Sequence, residues 1–519
     1  MPAGASVTFH ATDLETGTAS HASAVSRHLF YKHLVAAMSL GFVLRLFFII
    51  HFPFRAGDTK FYVELARNWL DHGVYGLFVN GRLTPVDMRM PGYPAFLAAL
   101  YAAFRQSPRI VMVVQAFIDL VTCVLSAMIA ARIAPARSRT PVAIIALWMA
   151  ALCPFTANYT ATVLTEVLAT FLMTLAVLAF VIALDRVFSN SPSQSPDRNL
   201  FSQAVWWLLT GFIAGLGALV RPETPLLLLS AGLVLVAYWR HPADWSRLLL
   251  AVAWMSVGLI LPLTPWAARN AKTLGRVEFL APRYAETYGD FIPRGFYAWT
   301  ATWMFRFGEA YLVTWKLGKE PIQLEDLPAS AFDSSAERTR VETLFARYNH
   351  DLHMTPILDH EFGLLARERS ARHPIRTYIM IPLARMWTIW FTPRIALLPY
   401  SGKLWPPAEA WRNSHKDFVV TLGFGILNSV YLGMALVGAW GFRRQPAVAF
   451  LIALVAVRTI FLTRLQTVEP RYVIVCYPVI LVLAALAWSP AFVNHSPSAP
   501  IAPESPQAAK VQSPCDTIT

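Results

Sequence analysis

Long apolar stretches alternate with short polar segments along most of the chain. A helix that crosses a bilayer needs about 20 mostly apolar residues, with a range of roughly 17–25. The pattern therefore predicts an all-α polytopic membrane protein with a bundle of about 10–12 helices. The predicted spans are 34–52, 109–131, 141–158, 161–184, 203–220, 223–239, 248–266, 418–440, 446–463 and 471–489.

Basic residues predict the orientation of these spans, because Lys and Arg collect in cytoplasmic loops. With Arg27 and Lys32 in the cytoplasm, every short inner loop carries Arg, and the first outer loop 53–108 and the region 271–417 face outward. We therefore expect a multi-pass protein of the cytoplasmic (inner) membrane whose main loops face the periplasm or the cell exterior. The inner-loop residues are Arg132, Arg137, Arg139, Arg186, Arg198, Arg240, Arg247, Arg443 and Arg444.

The same reading divides the chain into regions. The tail 491–519 is rich in Pro, Ser and Ala and is expected to be disordered. The predicted regions are a cytoplasmic N-terminal tail 1–33, a transmembrane module 34–270, an extracytoplasmic loop region 271–417, C-terminal transmembrane helices 418–490 and the cytoplasmic tail 491–519.

Several apolar or amphipathic segments are too short to span a bilayer. Counting 92–104 as a span would place Arg132, Arg137 and Arg139 outside, so we interpret it as a helix at the outer interface. The segment 376–391 receives the same interpretation. A helix is predicted over 59–71, lying on the membrane. Another is predicted over 334–350, without a capping box, and its apolar face carries Val341, Leu344 and Phe345.

Composition supports a membrane protein and narrows its partners. Of the 519 residues, 56% are hydrophobic and 14% charged, whereas soluble domains carry about 25% charged residues. The basic residues of the inner loops explain the net charge of +13, and the sequence has no basic stripe interleaved with aromatics. No nucleic-acid partner is therefore expected. The four cysteines form no CxxC pair, which argues against a disulfide framework or zinc knuckle.

The first outer loop contains the most informative polar residues. Asp58 follows the first span and could act as a general base toward a hydroxyl, or simply cap the helix 59–71. Arg89 precedes a proline turn. Its planar guanidinium could hold the phosphate of a ligand, or the side chain could simply extend to the phosphates of membrane lipids. Asp87, two residues earlier, is a candidate partner for Arg89.

Further charged residues are predicted at the outer ends of other spans. Glu166 begins one of these helices and could face the bundle interior or serve its first turn. Arg45, inside the first span, could bridge helices. Several cations at one depth on one side suit an anionic, membrane-bound ligand. The outer set comprises Arg89, Glu166, Arg221, Arg269, Glu469, Arg471 and Tyr472.

These motifs together resemble the GT-C glycosyltransferases. The resemblance rests on the motifs GD after the first helix, RMPGYP, TE, GLGALVRPE, PWAARN and EPRY-x5-P. It extends over roughly 35–275 and 460–490. The pattern is most similar to the branch with protein O-mannosyltransferases (family 39) and the lipid A aminoarabinose transferase. The resemblance implies a GT-C bundle with extracytoplasmic juxtamembrane helices and one large outer loop. It also implies inverting transfer of a sugar from a polyprenyl-phosphate donor to an acceptor hydroxyl or phosphate at the extracytoplasmic face, with an aspartate as the base.

The resemblance also assigns roles. Asp58 matches the catalytic base, Arg89 matches a basic residue before the proline turn, and Glu166 matches an acidic position near the acceptor. Arg269 and Arg471 become candidates to hold the donor phosphate. This chain has Arg-Met-Pro where the aminoarabinose transferases have Lys-Pro-Pro, and Asp-Thr where eukaryotic mannosyltransferases have Asp-Glu. The acceptor, whether protein, lipid A or glycan, therefore stays open.

No DxD occurs in the first outer loop, so neither a metal nor another cofactor is expected to be required. Two other functions remain compatible with the sequence. A transporter or flippase of lipid-linked sugars would favour midplane charges and internal repeats. An O-antigen polymerase or ligase would favour arginines in a large outer loop over an aspartate beside the first helix.

Overall fold

The computed structural model describes residues 12–188, 196–239, 245–282 and 291–489. These residues are mostly helical, as expected, with one two-stranded sheet. The elements in chain order are α1 (Thr12–His51), α2 (Thr59–His72), β1 (Gly76–Val79), β2 (Arg82–Pro85), α3 (Gly92–Ala103), α4 (Pro108–Ile133), α5 (Arg139–Ala151), α6 (Pro154–Ala157), α7 (Glu166–Phe188), α8 (Pro196–Val220), α9 (Leu226–Tyr238), α10 (Trp245–Leu274), α11 (Arg294–Ala301), α12 (Phe307–Ala310), α13 (Ser335–Asp351), α14 (Pro356–Arg372), α15 (Ile381–Phe391), α16 (Pro407–Asn413), α17 (His415–Phe442), α18 (Pro446–Leu462) and α19 (Tyr477–Leu486).

Six of the described helices are long and apolar enough to cross a membrane, and they make the chain a multi-pass membrane protein. They are α1, α4, α7, α8, α10 and α17. Three further predicted spans form the shorter apolar helices α9, α18 and α19. The stretch predicted at 141–158 is instead bent by 42° where α5 ends. Pro154 explains the bend, because proline disfavours helical backbone at the preceding Cys153, which is extended.

Helices α8 and α10 pack closely through glycines. A Cβ atom on Gly211 would lie 2.0 Å from the carbonyl oxygen of Met255, and one on Gly258 would lie 2.2 Å from that of Leu208. Any larger residue at either position would force the backbones apart. Close approach through small residues is the usual way in which membrane helices associate, because lipid offers no hydrophobic driving force between them.

An ion pair lies inside the helix bundle. Arg45 of α1 donates to Asp119 of α4 through Nε at 2.9 Å and Nη2 at 2.6 Å. Its Nη1 donates to the carbonyls of Gly41 at 2.7 Å and Ala151 at 2.8 Å. The guanidinium therefore joins α1, α4 and the end of α5, which confirms the helix-bridging interpretation of Arg45.

The first outer loop contains a hairpin that the sequence analysis did not predict. Strands β1 and β2 pair antiparallel with Val79 opposite Arg82. Asn80 and Gly81 connect them with φ of 50° and 78°. An Asn-Gly pair with two positive φ angles is the usual two-residue hairpin connection, so the signal was present in the sequence.

The expected short helices are present as α2, α3 and α15, the last preceded by a π-helical turn at Arg376–Met380. The outer region 291–372 has its own core, built on Phe296, Trp299 and Phe362. Helix α13 buries the predicted face of Val341, Leu344 and Phe345 against it.

The cap of α13 differs from the expectation. Ser334, and not Ser335, precedes the helix, and its hydroxyl accepts from the N–H of Glu337 at 3.1 Å. The Ser334-to-Glu337 spacing is that of a capping box. The predicted tail 491–519, the residue Arg240 and the side chain of Arg198 lie outside the described residues. The orientation of the spans and the region boundaries stay predictions.

Candidate functional site

The first outer loop is fastened to the segment that leads into α7. Phe54 pairs with Thr162 in a parallel bridge, with the N–H of Phe54 donating to the carbonyl of Ala161 at 3.0 Å. The hydroxyl of Thr59 donates to the carbonyl of Val163 at 3.1 Å. These contacts hold Asp58 beside the first turn of α7.

Asp58 occupies the N-cap position of α2 but does not cap it. Its backbone is helical, with φ −70° and ψ −22°, and its side chain makes no capping hydrogen bond. The carboxylate instead accepts from Arg471 Nη2 at 2.6 Å and from Arg89 Nη2 at 3.2 Å. Of the two alternatives open at the sequence level, the capping interpretation is therefore wrong.

The two arginines determine the charge of Asp58. Burial raises the pKa of the carboxyl group, but Arg471 and Arg89 together outweigh burial and hold the pKa below its ordinary value. Asp58 is accordingly ionised at neutral pH. Its carboxylate is half-buried, so it remains within reach of a ligand.

Arg471 is shared by three carboxylates. Its Nε lies against Glu469 and 3.8 Å from Glu166 Oε1, in addition to the bond to Asp58. The hydroxyl of Tyr472 donates to Glu469 Oε1 at 3.0 Å. The guanidiniums of Arg471 and Arg221 lie 5.5 and 5.1 Å from the centre of the Tyr472 ring. The motif Glu469–Tyr472 thus brings all its polar side chains to one place.

Glu166 extends the cluster toward α8 and α18. Its Oε1 accepts from Arg221 Nη2 at 2.7 Å, which confirms that it faces the interior. Arg221 Nη1 also donates to Glu223 at 3.3 Å, and Arg458 Nη2 donates to the same carboxylate at 3.0 Å. The residues form an alternating sequence of charges, here called the charge chain: Arg89, Asp58, Arg471, Glu166, Arg221, Glu223 and Arg458.

The charge chain is electrically balanced when Glu469 is included. It then holds four guanidiniums and four carboxylates. Arg458 is almost fully buried, and its Nε and Nη1 have no hydrogen-bond partner among the described residues; the same holds for Glu166 Oε2. Buried groups of this kind require an explanation, and unused donors and acceptors are a feature of functional sites.

Tyr62 lies one helical turn after Asp58, in the helix predicted to lie on the membrane, and was not among the candidate site residues. Its N–H donates to the carbonyl of Asp58 at 3.3 Å, and its ring meets Tyr93 edge to face at 5.3 Å. Burial raises the pKa of the Tyr62 hydroxyl, which also lies in the field of Arg89 and Asp58. Residues four apart on a helix lie on the same face, so the spacing of Asp58 and Tyr62 could have placed them side by side.

Two candidates, Asp87 and Arg269, have their hydrogen-bond partners elsewhere. Asp87 pairs with Arg276, so the expected Asp87–Arg89 pair does not form; the segment after α10 brings Arg276 to Asp87 while Arg89 turns to Asp58. Arg269 donates to the carbonyls of Tyr75 at 2.6 Å and Val86 at 2.9 Å. It thereby holds the segments on either side of the hairpin, and its role in donor binding stays a prediction.

No group of three or more His, Cys, Asp or Glu side chains that could hold a metal ion occurs within the described ranges. What the site offers is carboxylates and guanidiniums at hydrogen-bonding distance, near the ends of helices. Such an arrangement can accept a proton and can hold an anion without a metal.

Fold and site together define a multi-pass helical membrane protein with a charged cluster at the ends of its helices. No family model and no curated protein matches the chain. Archaeal oligosaccharyltransferase AglB from Archaeoglobus fulgidus, in complex with an inhibitory peptide and a dolichol-phosphate, is 13% identical over 89% of this chain and 50% of that one, with a TM-score of 0.48. A second structure of the A. fulgidus oligosaccharyltransferase, tethered with an acceptor peptide, is 13% identical over 89% and 49%, with a TM-score of 0.47. The chain spans about half the length of these proteins.

Proposed function

We propose that this chain is a GT-C-type glycosyltransferase that moves a hexosyl or pentosyl group from a polyprenyl-phosphate donor to an acceptor hydroxyl. The observation that carries the proposal is the position of the Asp58 carboxylate between Arg471 and Arg89. A carboxylate beside two guanidiniums supplies both parts of such a reaction, a proton acceptor and a phosphate site.

The donor phosphate binds to the guanidiniums that rest on Asp58. Arginine forms bidentate contacts to phosphate, so the phosphate competes with Asp58 for Arg471 and Arg89. When the arginines turn toward the phosphate, the carboxylate loses the charges that lower its pKa. Donor binding thus makes Asp58 a stronger base at the moment when one is needed.

In the chemical step the acceptor oxygen attacks the anomeric carbon from the face opposite the phosphate. Its O–H proton passes to the Asp58 carboxylate as the new carbon–oxygen bond forms. The bond from the anomeric carbon to the phosphate oxygen breaks, and its electron pair leaves with the polyprenyl phosphate. Arg471 and Arg89 stabilise the charge that develops on that oxygen, so no strong acid is needed.

The rest of the charge chain holds the Nε side of Arg471 while its Nη2 turns from Asp58 to the phosphate. Glu166 and Glu469 border its Nε, and Arg221 in turn is held by Glu166 and Glu223. Fixed partners reduce the reorganisation required during the reaction. Glu166 is also available to orient the acceptor through its second carboxylate oxygen, Oε2.

We place the reaction at the extracytoplasmic face of the cytoplasmic membrane, where the positive-inside rule puts the outer loops. The acceptor is a hydroxyl of a protein, of lipid A or of a glycan. The test is transfer of label from a panel of polyprenyl-phosphate sugars by membranes that contain the protein. Label covalently joined to an acceptor supports the proposal, whereas label that crosses the membrane unchanged supports a flippase.

A further inference from the structure

Three aromatic side chains form an exposed cluster in the outer region. Phe307 meets Tyr311 edge to face at 5.5 Å and Trp315 at 5.4 Å, and the Tyr311 and Trp315 ring centres are 4.1 Å apart. Tyr311 is 52% exposed and Trp315 is 38% exposed. We call these three residues the aromatic platform. Large exposed rings that pack on one another are unusual on a surface with no ligand to cover them.

The platform is held rigid from below. Glu309, which is buried, accepts from the N–H groups of Phe305 at 2.8 Å and Arg306 at 3.0 Å. These bonds hold the short helix α12, which carries Phe307, against the segment before it. The aromatic rings therefore project from a fixed backbone, and a ligand would not have to order them on binding.

Arg385 joins the segment that carries the platform to the segment that carries Glu469. The guanidinium of Arg385 donates to the carbonyl of Met304 at 2.9 Å and to those of Thr463 at 3.0 Å and Leu465 at 3.2 Å. One side chain thus joins the segment that leads to Phe307 with the segment that leads to Glu469. Burial and Glu469 raise the pKa of the Tyr311 hydroxyl, against an opposing effect of Arg471. Tyr311 is therefore within electrostatic range of both charged groups.

We propose that the aromatic platform is the subsite for the sugar ring of the donor, a proposal that rests on the function proposed above. A pyranose presents C–H groups on its faces and hydroxyls at its edge. The C–H face suits the negative face of an aromatic ring, and the hydroxyls suit charged hydrogen-bonding groups. Apolar rings beside a few polar groups are typical of small-molecule sites. The aromatic platform supplies the apolar rings, and the pair formed by Glu469 and Arg471 supplies the polar groups.

Two other occupants are possible for exposed aromatics in a membrane protein, namely lipid headgroups and the polyprenyl chain. Glu469 and Arg471 favour the sugar over a hydrocarbon chain at this place, because an apolar chain offers the charged groups no hydrogen bond. A sugar would satisfy both the rings and the charges.

The test compares two lipids that differ only in the sugar. Binding of polyprenyl phosphate and of polyprenyl-phosphate sugar to the purified protein in detergent is measured for wild type, Tyr311→Ala and Trp315→Ala. We expect the sugar-bearing lipid to lose about tenfold in affinity in both variants, while the bare lipid binds as in wild type. Tyr311→Phe, which keeps the ring, should bind close to wild type. Trp440→Ala removes an exposed tryptophan at the far end of α17 and is the matched control.

The outcomes separate the two proposals. Equal losses for both lipids would assign the platform to the polyprenyl chain and overturn the sugar subsite. Unchanged affinity in both variants, or equal affinity of wild type for the two lipids, would overturn it as well. The proposed function fails on a different result, namely sugar-dependent binding without any transfer by wild type.

Discussion

Asp58 and Arg471 are 413 residues apart in the sequence, yet a hydrogen bond of 2.6 Å joins the carboxylate of one to the guanidinium of the other. The first outer loop supplies the carboxylate and the segment before α19 supplies the guanidinium. A charged pair at that distance is stabilised strongly where water is partly excluded. The candidate site therefore exists only once the two ends of the described chain have packed together.

Removal of Arg89 should shift the acid limb of the pH profile of kcat/KM. Asp58 has a pKa below its ordinary value of 3.8, so it stays ionised and competent down to that lowered pKa. In Arg89→Gln one of the two cations that lower this pKa is lost, and the limb should move to higher pH. The kcat/KM profile of the free enzyme is the appropriate measurement, because it precedes donor binding.

The same group links stability to pH. A carboxyl whose pKa is lowered by folding stabilises the native state above its unfolded pKa, and this contribution is lost as the pH falls through the folded pKa.

Arg82→Gln, which changes an exposed arginine in the same loop, is the control for Arg89→Gln and should leave the acid limb of the pH profile unmoved. An unmoved limb in Arg89→Gln as well would contradict the role given to Arg89.

Loss of Arg221 should destabilise the protein much more than loss of an exposed arginine. Glu166 and Arg221 have side chains that are 1% and 9% exposed, and Arg221→Met would leave the Glu166 carboxylate buried with its main partner gone. We expect a cost of about 3–5 kcal/mol. Thermal unfolding in detergent, followed by fluorescence, measures the effect.

The matched control is the pair between Arg132 and Asp185, whose side chains are 39% and 40% exposed. Arg132→Met should cost only about 0–1 kcal/mol, because solvent screens an exposed pair. Similar losses in the two variants would show that burial of Glu166 is not what determines the cost.

The ion pair inside the bundle should behave as a single unit. Arg45→Met alone leaves the Asp119 carboxylate buried without its partner. Asp119→Leu alone leaves the Arg45 guanidinium buried without its partner. Each single variant should lose about 3–5 kcal/mol, whereas the double variant should recover most of that loss. Additive losses in a double-mutant cycle would contradict the structural interpretation of Arg45 and would favour a functional charge.

Helix α13 offers a test of the capping assignment. Ser334→Ala removes the acceptor for the N–H of Glu337 and should cost about 1 kcal/mol. Ser335→Ala, one residue further on, should be close to neutral because that residue lies inside the helix. The reverse order would contradict the assignment of Ser334 as the cap of α13.

Sequence periodicity predicted the helices well because apolar length is a strong signal. It also brought Asp58, Glu166, Arg221 and Arg471 to one region, since each lies at or near the outer end of a predicted span. Their pairing could not be predicted, because it depends on which helices are neighbours.

Other features were missed for identifiable reasons. Arg458 lies inside an apolar stretch and drew no attention, yet it ends the charge chain at Glu223. Asp119, the partner of Arg45, was overlooked in the same way. The aromatic platform was missed although Phe307, Tyr311 and Trp315 are spaced four residues apart, as residues on one face of a helix are.

The central claim is that Asp58 takes the proton from the acceptor, and its most direct test is Asp58→Asn. Transfer from a radiolabelled polyprenyl-phosphate sugar should fall by about 10²–10⁴-fold in membranes that hold equal amounts of the folded variant and wild type. Asparagine keeps the size of the side chain and can still accept from Arg471, so insertion and folding should survive. Transfer at the wild-type rate by Asp58→Asn would contradict the account.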